Sequence, residues 1–143
     1  MSAPTTPALQ DRIIIVTGAA SGIGKGIVTR LAADGATVVV ADLDEAKSQE
    51  TAAELGNDSI GIATDVTDRA AVDAMTDAVI QKYGRIDTLV NNAGWDKVEP
   101  FMESTLQTWD RVIAINLIGT LNCTQSAAKH MIEAGSGSVI SIG

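Results

Sequence analysis

Hydrophobic residues occur along the chain in short runs that alternate with longer segments of helical periodicity. The short runs are rich in β-branched residues and predict strands at Ile13–Thr17, Thr37–Asp42, Ser59–Thr64, Ile86–Asn91 and Ser138–Ile142. Helical patterns separate them at Ile23–Asp34, Asp44–Leu55, Asp68–Tyr83 and within Thr105–Ala134. This alternation predicts βαβ crossovers and therefore an α/β domain whose parallel sheet is covered by helices on both faces.

The composition of the individual segments agrees with a buried sheet. The runs "IIIV", "TVVVA" and "TLV" are continuously apolar rather than alternating, as expected for strands covered on both faces. Gly35, Gly84 and Gly135 each follow a helical pattern, at the place where a left-handed cap ends a helix. Residues 1–11, with two prolines and small polar residues, predict a flexible arm that precedes a single domain over residues 12–143.

Charge and composition exclude several classes of function. Eighteen acidic residues against ten basic ones give a net charge of -8, which disfavours nucleic-acid binding. The single cysteine, Cys123, excludes an internal disulfide and favours a reduced setting, and His130 is the only histidine, so no metal site is predicted. No apolar run approaches the ~18 residues of a membrane span, and no signal peptide is recognisable. We therefore expect a soluble, cytoplasmic protein without a membrane partner.

A glycine-rich turn follows the first strand, where residues 17–24 read "TGAASGIG". The helix that begins there would offer N–H groups and the positive end of its dipole to a phosphate. Glycine alone would also suit a plain strand-to-helix turn. Because this turn belongs to the first of several βα units, dinucleotide binding is the better interpretation, although the spacing is not Gly-x-Gly-x-x-Gly.

The same stretch resembles the Thr-Gly-x-x-x-Gly-Ile-Gly turn of the short-chain dehydrogenase/reductase family. Further matches follow in the family's order: Asp42, Asp65-Val66, Asn91-Asn92-Ala93-Gly94 and Asn116. By this resemblance the chain is identified as the amino-terminal part of a member of the classical type. The resemblance implies a Rossmann-like, doubly wound parallel sheet that is truncated after the fifth strand, so that residues 12–143 would form an incomplete NAD-binding domain.

Asp42 decides which cofactor we expect. A carboxylate at the end of the second strand can accept hydrogen bonds from the adenosine ribose and repels a 2′-phosphate. Two unit charges about 4 Å apart at an effective dielectric near 20 interact by roughly 4 kcal/mol, enough to favour NAD over NADP. Asp42 could instead cap the next helix, but Asp44 competes for that role. NADP-preferring relatives usually carry Arg or Lys where this chain has Ser21 or Leu43.

Other cofactor contacts are implied by the resemblance alone. Asp65 would hydrogen-bond the adenine amino group beside the backbone of Val66, and Asn92-Ala93-Gly94 would line the nicotinamide-side ribose. Asp65 could also be a simple turn residue or cap, although Asp68 fits a cap better. The predicted cofactor-binding residues are Gly18, Ser21, Gly22, Ile23, Gly24, Asp42, Leu43, Asp65, Val66, Asn92, Ala93 and Gly94. Asn91 is expected to stabilise neighbouring strands.

The family's chemistry needs residues that this chain does not supply. In the family a tyrosine moves the proton, a lysine lowers its pKa, a serine orients the carbonyl, and a helix asparagine holds a water. The asparagine corresponds to Asn116, and the alternative, a buried asparagine at a helix kink, is compatible with that role. Tyr83, the only tyrosine, precedes the fourth strand and is interpreted as helix-end packing. Ser141 falls short of the serine position, which would follow Gly143, so we expect the chain alone to be inactive.

The remaining candidates concern the substrate. Trp95-Asp96, with "PF" at residues 100–101, resembles family members that act on alicyclic hydroxyacyl-CoA thioesters. We therefore expect a secondary alcohol or ketone substrate, with a hydroxyacyl thioester or another alicyclic alcohol as candidates and 3-oxoacyl-thioester reduction as an alternative. A dinucleotide-binding module without turnover, or a non-catalytic fragment with an exposed fifth strand, also stays open.

Cys123 is expected to be a buried thiol and His130 a surface residue, and the complete form should be a homodimer or homotetramer.

Overall fold

The computed structural model describes residues 6–143 and contains one parallel β-sheet. Its strands are β1 (Ile13–Thr17), β2 (Thr37–Asp42), β3 (Ile60–Ala63), β4 (Thr88–Asn91) and β5 (Ser138–Ser141). Its α-helices are α1 (Gly22–Ala33), α2 (Glu45–Leu55), α3 (Arg69–Tyr83), α4 (Leu106–Val112) and α5 (Gly119–Ala134). The strand order β3-β2-β1-β4-β5 confirms the predicted Rossmann-like sheet.

The strand order changes direction at β1, which pairs with both β2 and β4. Ile15 of β1 stands opposite Val39 of β2 and Leu89 of β4, so β1 is the central strand of this switch. In open parallel sheets ligands bind outside the carboxyl ends of the strands at such a point. The topology therefore places a candidate site next to the glycine turn that follows β1.

Alternate residues of the central strands build two separate hydrophobic layers. Ile13 and Ile15 face one layer, which contains side chains of α3 and α5 such as Met75 and Cys123. Ile14, Val16, Val38, Val40 and Val90 face the other layer, together with side chains of α1 and α2. Burial on both faces explains why the strand sequences are continuously apolar.

Side-chain caps account for the residues at which α2 and α3 begin. Asp44 and Asp68 are the N-cap residues of α2 and α3, and their side chains accept hydrogen bonds from Lys47 and from Ala70 and Ala71. Each helix therefore begins one residue later than predicted. Gly84 and Gly135 adopt the expected left-handed conformation at the ends of α3 and α5.

The long predicted helix within Thr105–Ala134 is interrupted. A π-helical segment, Ile113–Ile118, separates α4 from α5, and the Gly119 N–H donates to the carbonyl of Ala114, five residues earlier. A Cβ on Gly119 would lie 2.6 Å from Cγ2 of Val66, so the bulged helix can approach the turn after β3 only because this residue is glycine. Asn116 lies within the bulge, as expected of a residue at a helix irregularity, but it is exposed rather than buried.

Part of the predicted amino-terminal arm contacts the domain. The Leu9 N–H donates to the carbonyl of Asp34 at 2.9 Å, and the Leu9 side chain packs against the layer formed with α1 and α2. Pro7 also lies beside Gly35, where a Cβ would come within 2.7 Å of the Pro7 Cβ, so residues 7–9 contact the domain. Residues 1–5 of the predicted arm lie outside the described part of the chain.

The strand β5 and the α4–α5 stretch carry exposed apolar side chains. Val139 and Ile140 of β5 are exposed although β5 pairs with β4 along its length. Leu106, Ile113, Leu117 and Leu121 are exposed along the helical stretch. Within residues 6–143 no helix is both long enough and apolar enough to cross a membrane.

Candidate nucleotide-binding site

A cleft of about 680 Å³ lies where the carboxyl ends of β1, β2, β3 and β4 meet. Every predicted cofactor-binding residue except Gly22 lines it, whereas Asn116 does not. The structure adds residues that were not predicted as cofactor contacts: Thr64, Thr67, Trp95, Arg111, Ala114 and Ile115. The first two flank Asp65-Val66, and the last three share one side of the helical stretch that bears Asn116, a side that Asn116 itself does not share.

The glycine turn is built by close backbone contacts. Gly18 has a φ of +63°, and a Cβ there would lie 2.9 Å from Cα of Ala93. A Cβ on Gly24 would lie 2.1 Å from the carbonyl oxygen of Gly18. Gly22 has a φ of +54° and no atom within 4 Å of the place its Cβ would take. The turn therefore needs glycine at Gly18 and Gly24 because of close contacts, and at Gly22 the left-handed backbone favours glycine although the space around it is open.

Thr17 and Asn92 join the turns that follow β1 and β4. The buried hydroxyl of Thr17 accepts hydrogen bonds from the backbone N–H groups of Asn92 and Ala93 at 3.1 and 3.0 Å. The Asn92 amide donates in return to the carbonyls of Thr17 and Gly18, both at 3.1 Å. This reciprocal set holds Ala93 and Gly94 at a fixed place in the cleft wall, and it gives Asn92 a structural duty besides its predicted cofactor contact.

Asp42 ends β2 and reaches across to the glycine turn. Its Oδ2 accepts a hydrogen bond from the Ala20 N–H at 3.0 Å, and its Oδ1 accepts one from the Asp44 N–H at 3.3 Å. The side chain is half-buried in the cleft wall. An ionised carboxylate offers about four acceptor positions, so positions remain for the hydroxyls of a ribose. The residue that caps α2 is Asp44, as predicted, and not Asp42.

The start of α1 and the end of β2 form one wall of the cleft. Ser21 is the N-cap of α1 with extended backbone, and its side chain makes no capping hydrogen bond. The side chains of Ile23 and Leu43 line the cleft while being 72% and 71% exposed. Leu43 and Ser21 therefore line the same wall as Asp42, and neither carries a positive charge that could pair with a 2′-phosphate.

Asp65 is a turn residue, as the alternative to its predicted adenine contact proposed. Its Oδ1 accepts hydrogen bonds from the Thr67 N–H at 2.9 Å and the Thr67 hydroxyl at 2.7 Å. The side chain is nevertheless exposed in the cleft wall, next to the buried Val66. The turn fixes the carboxylate in place, and the contact with an adenine stays a prediction.

Asn116 contacts the loop after β4 rather than the cleft. Its Oδ1 accepts from the Trp95 N–H at 2.8 Å, and its Nδ2 donates to the Trp95 carbonyl at 2.9 Å. A Cβ on Gly94 would lie 3.2 Å from that Oδ1, so glycine allows the close approach. Asn116 thereby holds Trp95 by both backbone groups, and the Arg111 guanidinium lies 4.0 Å from the centre of the Trp95 ring.

The other residues considered from the sequence lie away from the cleft. Cys123 is buried, and burial raises the pKa of its thiol to about 11. Burial also raises the pKa of Tyr83 to about 12, with the charge of Asp58 adding to the effect, and its hydroxyl donates to the Asp58 carbonyl. His130 is not a free surface residue: its side chain is 12% exposed, with Nε2 3.5 Å from Asp77. Asn91 is buried and donates to Thr124 at 3.0 Å, linking β4 to α5.

Over residues 6–143 no group of three or more His, Cys, Asp or Glu side chains is placed to hold a metal ion. The candidate chemistry of this cleft therefore rests on backbone N–H groups, hydroxyls, carboxylates and a single guanidinium. Those groups fit a nucleotide with ribose hydroxyls and phosphates, since the glycine turn leaves room for a phosphate and the carboxylate of Asp42 remains able to accept.

The fold and the cleft together define a Rossmann-like α/β protein whose site lies at the switch of a parallel sheet. The sequence profile described as short chain dehydrogenase matches residues 12–143, so the chain belongs to the short-chain dehydrogenase family. Family membership confirms the resemblance recognised in the motifs and makes the protein a member of an oxidoreductase family.

Similar proteins agree with this assignment. The chain is 44% identical over 137 residues to a D-threitol dehydrogenase of Mycolicibacterium smegmatis, covering 94% of this chain and 53% of the relative. It is 39% identical over 137 residues to the BbsD subunit of (2S)-[(R)-hydroxy(phenyl)methyl]succinyl-CoA dehydrogenase of Thauera aromatica, covering 94% and 55%. The crystal structure of gox2181 superposes with a TM-score of 0.91 at 35% identity, covering 94% of this chain and 54% of that one. The chain thus spans about half the length of the relatives it matches.

Proposed function

We propose that this chain is the nucleotide-binding part of an NAD(H)-dependent oxidoreductase that interconverts a secondary alcohol and a ketone. The observation that carries the proposal is the cleft itself, which is lined by the glycine turn, Asp42, Asp65-Val66 and Asn92-Ala93-Gly94. These residues come from four different βα connections, and only the folded sheet brings them to one edge.

The nicotinamide supplies the hydride acceptor or donor when it is bound, and the chain's own residues would bind and orient it. The N–H groups at the start of α1 would face the phosphates, and Asp42 would accept from the adenosine ribose. Asp65 would accept from the adenine amino group, with the Val66 backbone beside it, and Asn92, Ala93 and Gly94 would border the other ribose.

The preference for NAD over NADP rests on the surroundings of Asp42. Within residues 6–143 its carboxylate has no ion-pair partner, so no side-chain cation neutralises its repulsion of a 2′-phosphate. Ser21 and Leu43, which flank it in the cleft wall, carry no positive charge to offset that repulsion. Two unit charges about 4 Å apart interact by roughly 4 kcal/mol at an effective dielectric near 20, which corresponds to about three powers of ten in affinity.

Titration calorimetry with NAD and NADP tests this proposal on the chain as it is. We expect weak NAD binding and weaker NADP binding, and Asp42→Ala should narrow the difference. Asp34→Ala is the matched control, because it removes a carboxylate at the far end of α1 and should leave the ratio unchanged. An unchanged ratio in Asp42→Ala would remove Asp42 from its proposed role, and absence of NAD binding would contradict the function.

The 143 residues by themselves should bind the cofactor without turnover. Asn116, the one residue that corresponds to a family catalytic position, holds Trp95 in the structure, and this contact is compatible with a water-binding role for its other lone pairs. Tyr83, the last residue of α3, donates its hydroxyl to the carbonyl of Asp58 away from the cleft, so it cannot supply the proton for the reaction. NADH oxidation with a panel of ketones should therefore not exceed the rate in buffer, and oxidation above that rate would contradict this expectation.

The substrate class is proposed from relatives' names together with the loop after β4. One relative is a polyol dehydrogenase and another a dehydrogenase of a hydroxyacyl-CoA thioester. Trp95-Asp96 follows the cleft wall, so an apolar ring or thioester could lie against Trp95. We propose a secondary alcohol, with 3-oxoacyl-thioester reduction as the alternative, in a cytoplasmic homodimer or homotetramer that binds neither nucleic acid nor membrane.

A further inference from the structure

Arg111 is a cleft residue that the family motifs did not indicate. It is the only Lys, Arg or His among the residues that line the cleft within the described chain. The carboxylates of Asp42 and Asp65 line the same cleft, at the ends of β2 and β3. The site is therefore polarised, with two negative groups beside β2 and β3 and one positive group on α4.

The guanidinium is held in place by an aromatic ring. It lies 4.0 Å from the centre of the Trp95 ring, which is within the range of a cation–π contact. Trp95 in turn is held by the side chain of Asn116 at both of its backbone groups, at 2.8 and 2.9 Å. The arginine thus starts from a restricted orientation, so that a ligand would lose less side-chain freedom on binding it.

Arg111 forms no ion pair within the described part of the chain. Among residues 6–143 the guanidinium has no carboxylate partner, although the chain carries a net charge of -8. The exposed arginines Arg30 and Arg69, by contrast, each pair with an aspartate one turn along their helices. An arginine that stacks on an aromatic face keeps its outward N–H groups free for an anion.

We propose that Arg111, held on the face of Trp95, donates hydrogen bonds to the diphosphate of a dinucleotide bound in this cleft. The inference rests on the proposed function and adds a binding residue to it. A diphosphate carries two negative charges into a cleft that already holds two carboxylates. The start of α1 offers N–H groups and the positive end of its dipole but no formal charge, so the guanidinium is the one formal positive charge among the described lining residues that can offset the diphosphate, and its fork geometry suits phosphate oxygens.

A ladder of ligands tests the proposal by titration calorimetry: adenosine, AMP, ADP and NAD with the full chain and with Arg111→Gln. We expect the affinity for ADP and NAD to fall by about tenfold in Arg111→Gln, since a charge-assisted hydrogen bond is lost, while adenosine binds unchanged. Arg111→Lys keeps the positive charge without the forked guanidinium, so its affinity for ADP and NAD should lie between those of the wild type and Arg111→Gln. Arg30→Gln is the control, because it removes an exposed arginine of α1 that pairs with Asp34.

The fluorescence of Trp95 gives a second readout. In a Trp109→Phe background, which leaves Trp95 as the only tryptophan, ADP should change the Trp95 emission because its phosphates bind the guanidinium that is stacked on the ring, and Arg111→Gln should abolish that change. Equal ADP affinity in the wild type and Arg111→Gln would overturn the proposal, as would an equal loss for adenosine. If the wild type binds NAD and Arg111→Gln does so equally, only this inference fails; if the wild type binds no NAD, the proposed function fails with it.

Discussion

Asp42 and Asp87 lie at opposite ends of the sheet, and each accepts a hydrogen bond from a backbone N–H next to β1. Asp42 accepts from Ala20 at 3.0 Å, just beyond the carboxyl end of β1, and Asp87 accepts from Ile13 at 2.8 Å, at the amino end. Asp87 also pairs with Arg12 and Arg85, and its side chain is 10% exposed. Asp42 is half-buried and has no ion pair within residues 6–143.

The difference separates a carboxylate used by the fold from one left for a ligand. At the amino ends of the strands the charge of Asp87 is neutralised and its oxygens are occupied, so this edge is closed. At the carboxyl ends, glycine turns leave space, and the charge of Asp42 and that of Arg111 stay uncompensated. The same residue type thus has a structural duty at one edge and a candidate binding duty at the other.

The largest effect on stability is expected from Asp87→Ala. The Ile13 N–H loses its acceptor in a partly buried place, and two arginines lose their counter-charge. We expect the free energy of unfolding to fall by about 3 kcal/mol, with NAD affinity unchanged in protein that remains folded. Urea titration followed by circular dichroism measures this, and a loss as small as that of a surface substitution would contradict a structural role.

Gly24→Ala probes the cleft edge through its backbone. The new Cβ would meet the carbonyl oxygen of Gly18 at 2.1 Å, so the turn must shift, and we expect a loss of about 2 kcal/mol together with weaker NAD binding. Gly26→Ala is the matched control on the same helix, because its Cβ would meet nothing within 4 Å. Gly26→Ala should raise stability by up to about 1 kcal/mol. Equal effects of the two variants in urea titrations would refute the close-contact explanation.

Asp42→Ala should cost less stability than Asp87→Ala. It removes acceptors from the Ala20 and Asp44 N–H groups but breaks no ion pair, so we expect about 1 kcal/mol. Its main effect should appear in the ratio of NAD to NADP affinities. If Asp42→Ala destabilised the chain as much as Asp87→Ala, Asp42 would be as structural as Asp87, and the proposed difference between the two ends of the sheet would be wrong.

The smallest expected effect is the loss of stability at acidic pH that Asp87 causes. Burial alone would raise the pKa of Asp87, but hydrogen bonds from Arg85 and Ile13 and the charge of Arg12 outweigh it and hold that pKa below its usual value of 3.8. The stability that the ionised Asp87 contributes is therefore present above pH 3.8 and is lost as the pH falls through the folded-state pKa. Urea midpoints measured between pH 6 and pH 3 should decline less steeply in Asp87→Asn than in the wild type; parallel declines would contradict this assignment.

The elements of the fold were predictable because their signals are local. β-branched apolar runs predicted all the strands, and Asp44, Asp68, Gly84 and Gly135 marked helix ends. β4 begins at Thr88 rather than at the predicted Ile86, because the Asp87 side chain accepts from Ile13 at this edge. The π-helical segment could not be predicted, since it depends on how α5 packs against Val66 rather than on the residues of the helix alone.

Only the cleft residues that belong to sequence motifs could be predicted. The glycine turn, Asp42, Asp65 and Asn92 were found by order and spacing, and they line the same cleft. Trp95 was noticed only as a substrate contact, and its neighbour in space, Arg111, was missed. The contact between these two residues joins a loop to a helix sixteen residues later, and no local pattern records it.

The sequence by itself determined the alternation of strands and helices, the parallel sheet and the residue types available to a nucleotide, because periodicity, caps and glycine positions act over a few residues. Only the tertiary structure decided which aspartate is occupied, how Asn116 holds Trp95 and where Arg111 lies. Those outcomes depend on distances between chain segments far apart in sequence, such as the 2.8 Å between the Ile13 nitrogen and Asp87. A charge becomes structural or available for binding according to the partners that packing places beside it.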